Sequence, residues 1–331
     1  MALPSQLQVA VPVAIQNISI QYKPKFMIGD SVFPIVPVPT LQSKILKYAK
    51  ANLFRLADGE LYRAEGSLTK RFNYNIDTQF VNPRQISAEV PVTDELLDIA
   101  SQPGQMPLQP IVDAVQLATT KIDLYKEKQI SDVIYGNKWA DGTTGGSAPS
   151  AGAGGWALDT TANSLVKDIY AAKKTILAGT GVEPNVLVID FATFVALQTN
   201  PVVADKVKYT EKAVFTADLL ASLLQLDEVL IGRGIYTSQK ENKNATNATF
   251  TGTGIWNPSA RGNAFLYYRE APGLRALSAG FQFRLPYMGS MRYVRGYRDE
   301  QVRSTIYQVT EMTEIAPVAL DVGYAWTTTI A

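Results

Sequence analysis

The stretch GAGGWA, Gly152 to Ala157, fits the G-x-G-x-x-[G/A] spacing of a turn that cradles a dinucleotide pyrophosphate. Such a cradle works because a buried strand delivers the glycines and a helix opens directly behind them, so that free N–H groups meet the phosphate. Here Ser147, Ala148, Pro149, Ser150 and Ala151 precede Gly152, and they do not make a buried strand. No acidic residue closes a following strand about 20 residues on, where a ribose partner belongs. A Walker-type loop fails as well, since no Gly-Lys-Ser/Thr occurs and the next lysine is Lys167. The full run GTTGGSAPSAGAGGWA therefore reads as a tether or surface loop.

Other chemistry is narrowly bounded. The 331 residues include neither cysteine nor histidine, which removes disulfides, thiolate nucleophiles, imidazole bases and the usual zinc ligands. Catalysis would rest on carboxylates, lysine, tyrosine or serine. The acidic pairs Asp94-Glu95, Asp227-Glu228 and Asp299-Glu300 are adjacent in sequence, and on a strand such neighbours point to opposite faces, so helix capping and surface charge suit them better. Asn244-Ala-Thr and Asn247-Ala-Thr match the glycosylation pattern and read as loop residues. No cofactor or metal is expected.

A formal charge of +1 argues against a dedicated nucleic-acid binder, and 46% hydrophobic with 18% charged residues leaves ample material for a core. The N-terminal run MALPSQLQVAVPVAIQ is interrupted by Pro4, Gln6, Gln8 and Pro12, which fits neither a signal peptide nor a membrane span. A soluble chain, intracellular at synthesis, is the expectation.

The elements that would position any site fall into blocks. Residues 1–43 carry Pro4, Pro12, Pro24, Pro34, Pro37 and Pro39 among many valines and isoleucines, an extended apolar arm that must lie on its own domain or on a neighbouring copy. Residues 44–92 read as a long hairpin: a strand from Lys44, turn signals at Asp58-Gly59 and Glu65-Gly66, and alternation through Phe72, Tyr74 and Ile76. Residues 93–140 hold a helix of about 108–135, roughly 40 Å long at 1.5 Å per residue, with Ile111, Val115, Ala118, Ile122, Tyr125 and Val133 on one face and Lys121, Lys126 and Lys128 off it. The glycine-rich linker spans 141–157. Residues 158–280 read as α/β, with a helix ending near Gly179, the buried strand NVLVID, a short helix capped by Asp190, a helix over TADLLASLLQL and a strand in EVLIG. Residues 281–331 read as a β-rich return.

This order resembles the major capsid protein of tailed bacteriophages, the Hong Kong 97-type fold. KYAKANLFRLADGELYRAEGSLTKRFNYNIDTQF is similar to the strand and hairpin of such proteins, and NVLVIDFATFVALQTNPVVADKVKYTEKAVFTADLLASLLQLDEVLIGRGIY to their apical domain. The resemblance implies an α+β capsid fold: an extended N-terminal arm, a protruding β-hairpin (E-loop), a long spine helix with β-sheet (P-domain) and an α/β apical A-domain. It implies a shell protein, not an enzyme, forming hexamers and pentamers around double-stranded DNA in the virion after assembly in the host bacterial cytoplasm. A separate scaffolding protein, a portal and a cement protein are its expected partners. An encapsulin-like compartment of the same fold is the alternative, with a carboxylate-based enzyme or a monomeric binding protein outside that class.

The candidate contacts between subunits are Lys70, Arg71 and Tyr74 on the hairpin and Arg292, Arg295, Arg298, Glu300 and Arg303 in RYVRGYRDEQVR, with Arg284 on the same surface. Some members of the family this chain resembles link a hairpin lysine covalently to an asparagine of another subunit, and Lys70 is either such a lysine or an ordinary solvated one. Lys44, Lys47 and Lys50, with Lys23 and Lys25 on the arm, face either packaged DNA or solvent.

Overall fold

Two β-sheets share one long helix. The computed structural model describes residues 8–9, 26–48, 54–56, 61–63, 65–71, 76–101, 109–159, 163–207, 215–239, 251–272 and 277–330. The chain begins with β1 (Gln8–Val9), one helical turn α1 (Gly29–Val32) and β2 (Ile35–Pro37). Pro34 and Pro37 bracket this last piece and cannot donate to a ladder, which keeps it short. β3 (Ser43–Tyr48) and β4 (Ile76–Val81) form an antiparallel pair of their own, with Ser43 opposite Val81 and Tyr48 opposite Ile76. The alternation expected through Phe72 and Tyr74 lies outside the described residues.

β5 (Arg84–Thr93) runs into the short helix α2 (Asp94–Ser101), and α3 follows (Pro110–Gly136) with proline at its start, where the missing N–H has no helical partner to lose. Beyond it come α4 (Leu165–Thr180), β6 (Val186–Asp190), α5 (Phe191–Thr199), α6 (Pro201–Val207), α7 (Ala217–Leu224), β7 (Glu228–Gly232) and the short pair β8 (Ile235–Tyr236) and β9 (Thr253–Gly254). The chain closes with β10 (Asn263–Tyr267), β11 (Gly280–Leu285), β12 (Tyr293–Asp299), β13 (Ser304–Pro317) and β14 (Gly323–Thr327). Among the described residues no helix is long and apolar enough to cross a membrane.

β13 is the hub of the first sheet. One edge pairs with β5 from Ser304–Thr93 to Thr313–Arg84, and the other pairs first with β12 and then, end to end, with β11. β1 adds to the free edge of β12, and β2 runs parallel to β11. The arm from Phe26 onward thus lies on its own chain, burying Val32, Phe33, Val36 and Val38.

The second sheet has the order β14-β10-β6-β7, with only β6 and β7 parallel. Every residue of β6 is buried because both faces are covered. Leu187 and Ile189 join a core with Leu165, Ile169 and Leu220 of the helices, while Val186 and Val188 join one with Ile130 and Ile134 of α3. That double cover explains why NVLVID is an unbroken apolar run. Asp190 at its end caps α5, accepting from the Ala192 and Thr193 amides. β14 corrects the expectation for 281–331: the last strand does not return to the first sheet but pairs with β10, Trp326 opposite Ala264.

The helix α3 spans both cores. Ala114, Val115, Ala118 and Ile122 pack with Val92, Val294 and Val309 of the first sheet, and its second half packs on the other. Its middle departs from the sequence pattern. Tyr125, expected inside, is half exposed, whereas Lys126 and Glu127 are buried. The reason lies in distant charges described below.

The glycine-rich linker is also corrected. It is pinned along the second sheet: Ser147 exchanges backbone hydrogen bonds with Ala325 and Thr327, and the Trp156 amide donates to Thr329. Trp156 is fully buried, its indole N–H on Asp168 at 2.9 Å, and the Ser164 hydroxyl donates to the same carboxylate at 2.7 Å. Gly146 is needed at φ +91°, where a Cβ would stand 3.0 Å from the Ala325 carbonyl. Glycine here serves close approach, not looseness. No strand leads directly into Gly152, which is preceded by a turn, so the strand-and-glycine geometry of a phosphate cradle does not form there.

Candidate assembly surfaces

The hairpin of β3 and β4 exposes what a soluble surface avoids. Leu56, Leu61, Tyr62 and Leu68, between its two strands, are 79%, 70%, 92% and 94% exposed, with Phe54 and the β4 residue Phe80 exposed beside them. A two-stranded ribbon is marginal alone; this one packs at its base, where Ile45 and Val81 join Val36, Phe281 and Phe283, and the Phe54 ring lies near Gly181. Large apolar side chains clustered on such an extension mark an interaction surface. Arg55, Arg63, Lys70 and Arg71 are exposed among them and outnumber Glu65 in the described part, so the surface is apolar and basic. Tyr74 lies outside the described residues.

The arginines of RYVRGYRDEQVR differ in their partners. Arg292, just before the strand, is a correction: it is no subunit contact but a buried member of a charge cluster. Its Nη2 meets Asp123 at 2.5 Å and Glu311 at 3.0 Å. Lys126 Nζ reaches Asp123 at 3.0 Å and Glu311 at 3.2 Å, and Arg284, likewise buried and not at a shared surface, reaches Glu311 at 2.8 Å. Three cations thus surround two carboxylates where α3 crosses the sheet. Burial opposes the Arg292 charge, but Asp123 and Glu311 outweigh it and hold the guanidinium more firmly protonated than usual.

Arg298 clamps Asp94, its two Nη atoms each 2.5 Å from a carboxylate oxygen, with Glu300 3.2 Å from Nε. The Arg298 hydrogen bonds pull the Asp94 carboxyl below its ordinary value, though burial works against them. Arg295 is half-buried with its guanidinium over the Tyr297 ring at 5.4 Å, and Glu300 and Arg303 are exposed. A nearby groove is lined by Asp94, Glu95, Leu97, Asp98 and Arg303. On the hairpin, Lys44 is exposed with its amine 5.3 Å from the Phe80 ring centre. Lys47 is described only as backbone of β3, and Lys23, Lys25 and Lys50 lie outside the described residues.

A concave site lies at the carboxyl ends of β6 and β7, where ligands of open α/β sheets usually sit. Phe191, Ile235 and Trp256 line it with Asp190 and Arg233. Asp190 is the only carboxylate there, and it already accepts from Ala192, Thr193, Asn257 and Asn263. Arg233 lies over the Phe191 ring at 5.4 Å. Among the described residues, these contacts give Asp190 a role in holding the corner together. Among the described residues no cluster of acidic side chains suits a metal.

No family model matches the chain. The major capsid protein of Burkholderia phage BcepMu is 29% identical over 296 residues, covering 87% of this chain and 84% of the relative. Among solved structures, a phage-related protein from Bordetella bronchiseptica RB50 superimposes with a TM-score of 0.71 at 22% identity, over 98% of this chain and 99% of the other. The capsid of cyanophage P-SCSP1u follows at 0.54 and 11% identity, over 99% and 92%.

Proposed function

We propose that this chain, a phage major capsid protein by its relative and its Hong Kong 97-type fold, assembles with copies of itself into hexamers and pentamers that close as the icosahedral head of a tailed bacteriophage around double-stranded DNA. The exposed apolar hairpin carries the reading. Leu56, Leu61, Tyr62 and Leu68 have no core of their own to enter, and a neighbouring subunit supplies one. Many modest contacts, repeated by symmetry, then hold the shell.

In this reading the hairpin with Lys70, Arg71 and Tyr74 reaches the adjacent copy, and Arg295, Glu300 and Arg303 form a polar contact beside it. Lys44 and Lys47, with Lys23, Lys25 and Lys50, face the DNA without sequence preference. The division into arm, hairpin, spine-helix part, apical domain and C-terminal strands describes the subunit's working parts. Scaffolding, portal and cement proteins are further partners, and assembly takes place in the host bacterial cytoplasm.

Sedimentation velocity of the expressed chain, with electron microscopy of the heaviest fraction, tests the proposal. Closed shells, capsomer rings or lattice tubes support it. A monomer that stays monomeric at high concentration and with a candidate scaffold overturns it, and shells filled with enzyme in place of DNA would make it a protein compartment.

A further inference from the structure

Glu127 joins three parts of the molecule that are far apart in sequence. It lies in the middle of α3 and is fully buried. The Trp256 indole N–H, from the segment between β9 and β10, donates to its Oε1 at 2.7 Å, its Oε2 has no hydrogen-bond partner among the described residues, and the Ile28 and Gly29 amides at the start of the arm turn α1 act on its charge from nearby. The turn fits tightly over this spot: a Cβ on Gly29 would stand 2.9 Å from Ile130 Cδ1. A small cavity remains beneath the turn, lined by Met27, Gly29, Asp30, Asp123, Lys126 and Glu127.

We infer that the Glu127 carboxyl is a proton-operated latch on the N-terminal arm, holding α1 and Trp256 against the long helix while neutral and favouring release of the turn when ionised. The charges facing it are few. Asp30 comes from the arm, and Asp123 and Lys126 come from its own helix on the wall of the same cavity. Lys126 is occupied by Asp123 and Glu311, so it does not compensate a Glu127 anion. The elements on the remaining sides bring the Trp256 indole and the main chain of Gly234.

Burial raises the Glu127 carboxyl to about 7, against the pull of the Trp256 indole and the two amides, and Asp30 adds to the rise. Once the turn lifts, water restores the ordinary value of 4.5. The closed form therefore holds a proton that the open form has lost between these limits. Opening becomes easier as pH climbs from 4.5 to about 7, and no easier beyond it. The latch is shut in acid and loosened at neutral pH.

Hydrogen exchange of the amides of residues 28–33, measured on the full-length chain from pH 4 to 8.5 and corrected for intrinsic rates, tests this. In wild type the opening constant rises on the order of a hundredfold across the window and then levels, because each pH unit is worth a factor of ten per proton. Glu127→Gln, nearly isosteric and unable to ionise, gives a flat profile with strong protection. Trp256→Phe removes a donor that favours the anion and moves the midpoint up, while Asp30→Asn moves it down. A flat wild-type profile, a wild-type profile in Glu127→Gln, or midpoints that do not move in these opposite directions overturns the inference. The last two variants decide the matter even where Glu127→Gln fails to fold.

Discussion

Arg298 grips Asp94 through two parallel 2.5 Å hydrogen bonds, so the side chain of a central strand fixes the first residue of the helix that follows the hairpin. The Asp94 carboxyl is held below its ordinary 3.8, first by these hydrogen bonds, and the clamp's contribution is thus complete above that value. It disappears as pH falls through the lowered value, where the folded state too takes up the proton. Arg298→Ala is expected to lower the melting temperature at pH 7 by a small amount that shrinks in high salt and vanishes in strong acid. Arg298→Lys restores the charge but not the fork and recovers only part. Thermal melts at pH 7 and near pH 2, with and without salt, give the check.

The buried cluster makes a stronger prediction. Glu311 has no exposed surface and contacts Lys126, Arg284 and Arg292. Glu311→Ala leaves three cations with Asp123 alone, and breaking such a buried pair typically costs about 3–5 kcal/mol. Urea denaturation of the soluble chain measures this, with a loss under 1 kcal/mol as the contrary result.

Protease digestion tests the pinning of the glycine-rich loop. Asp168→Ala removes the acceptor shared by Trp156, Ser164 and the Ser150 amide, leaving donors stranded in the core. Cleavage within 142–157 is expected to accelerate at least tenfold, given a penalty of about 1–3 kcal/mol for an unpaired buried group. Wild type, despite its Gly/Ser content, resists cutting there. Equal cleavage of the two would return the segment to the tether class.

Assembly and folding separate at the hairpin. Leu56→Asp with Leu68→Asp alters side chains already in water, so the stability of the free subunit shifts by no more than about 0.5 kcal/mol per site. Shell formation is lost, because a charge would enter the contact these leucines make. Sedimentation of the double variant beside its urea curve checks both halves.

The parts legible in the sequence are those whose partners are nearby or generic. NVLVID could be read as a doubly covered strand, and Asp190 as the cap of the next helix, because apolar continuity and capping are local properties. The strand from Lys44 was legible for the same reason, but Arg84–Thr93, expected in the same hairpin, pairs instead with β13 in the first sheet. Lys126 was not legible, because a buried lysine is explained only by Asp123 and by Glu311, which lies 185 residues further along the chain. Arg292 and Arg284 were misplaced on the surface for that reason too. In GTTGGSAPSAGAGGWA, composition spoke for a tether, while the contrary signal was Trp156, a side chain too costly to leave in water. The Glu127 junction had no sequence signal, since Trp256 and Gly29 meet it only after both sheets have closed on the helix.

The position of β13 has a consequence for how the subunit is made. Its partner β5 precedes it by more than 200 residues, and β11 and β12 wait on the same strand. A ladder of such long sequence separation is slow to close and cannot begin before residues 304–317 have left the ribosome. Until then the sheet at the base of the hairpin is incomplete, and a nascent chain displays no finished docking face. In the proposed assembly, competence to join a shell is thereby deferred until β13 has emerged, a timing set by strand order alone.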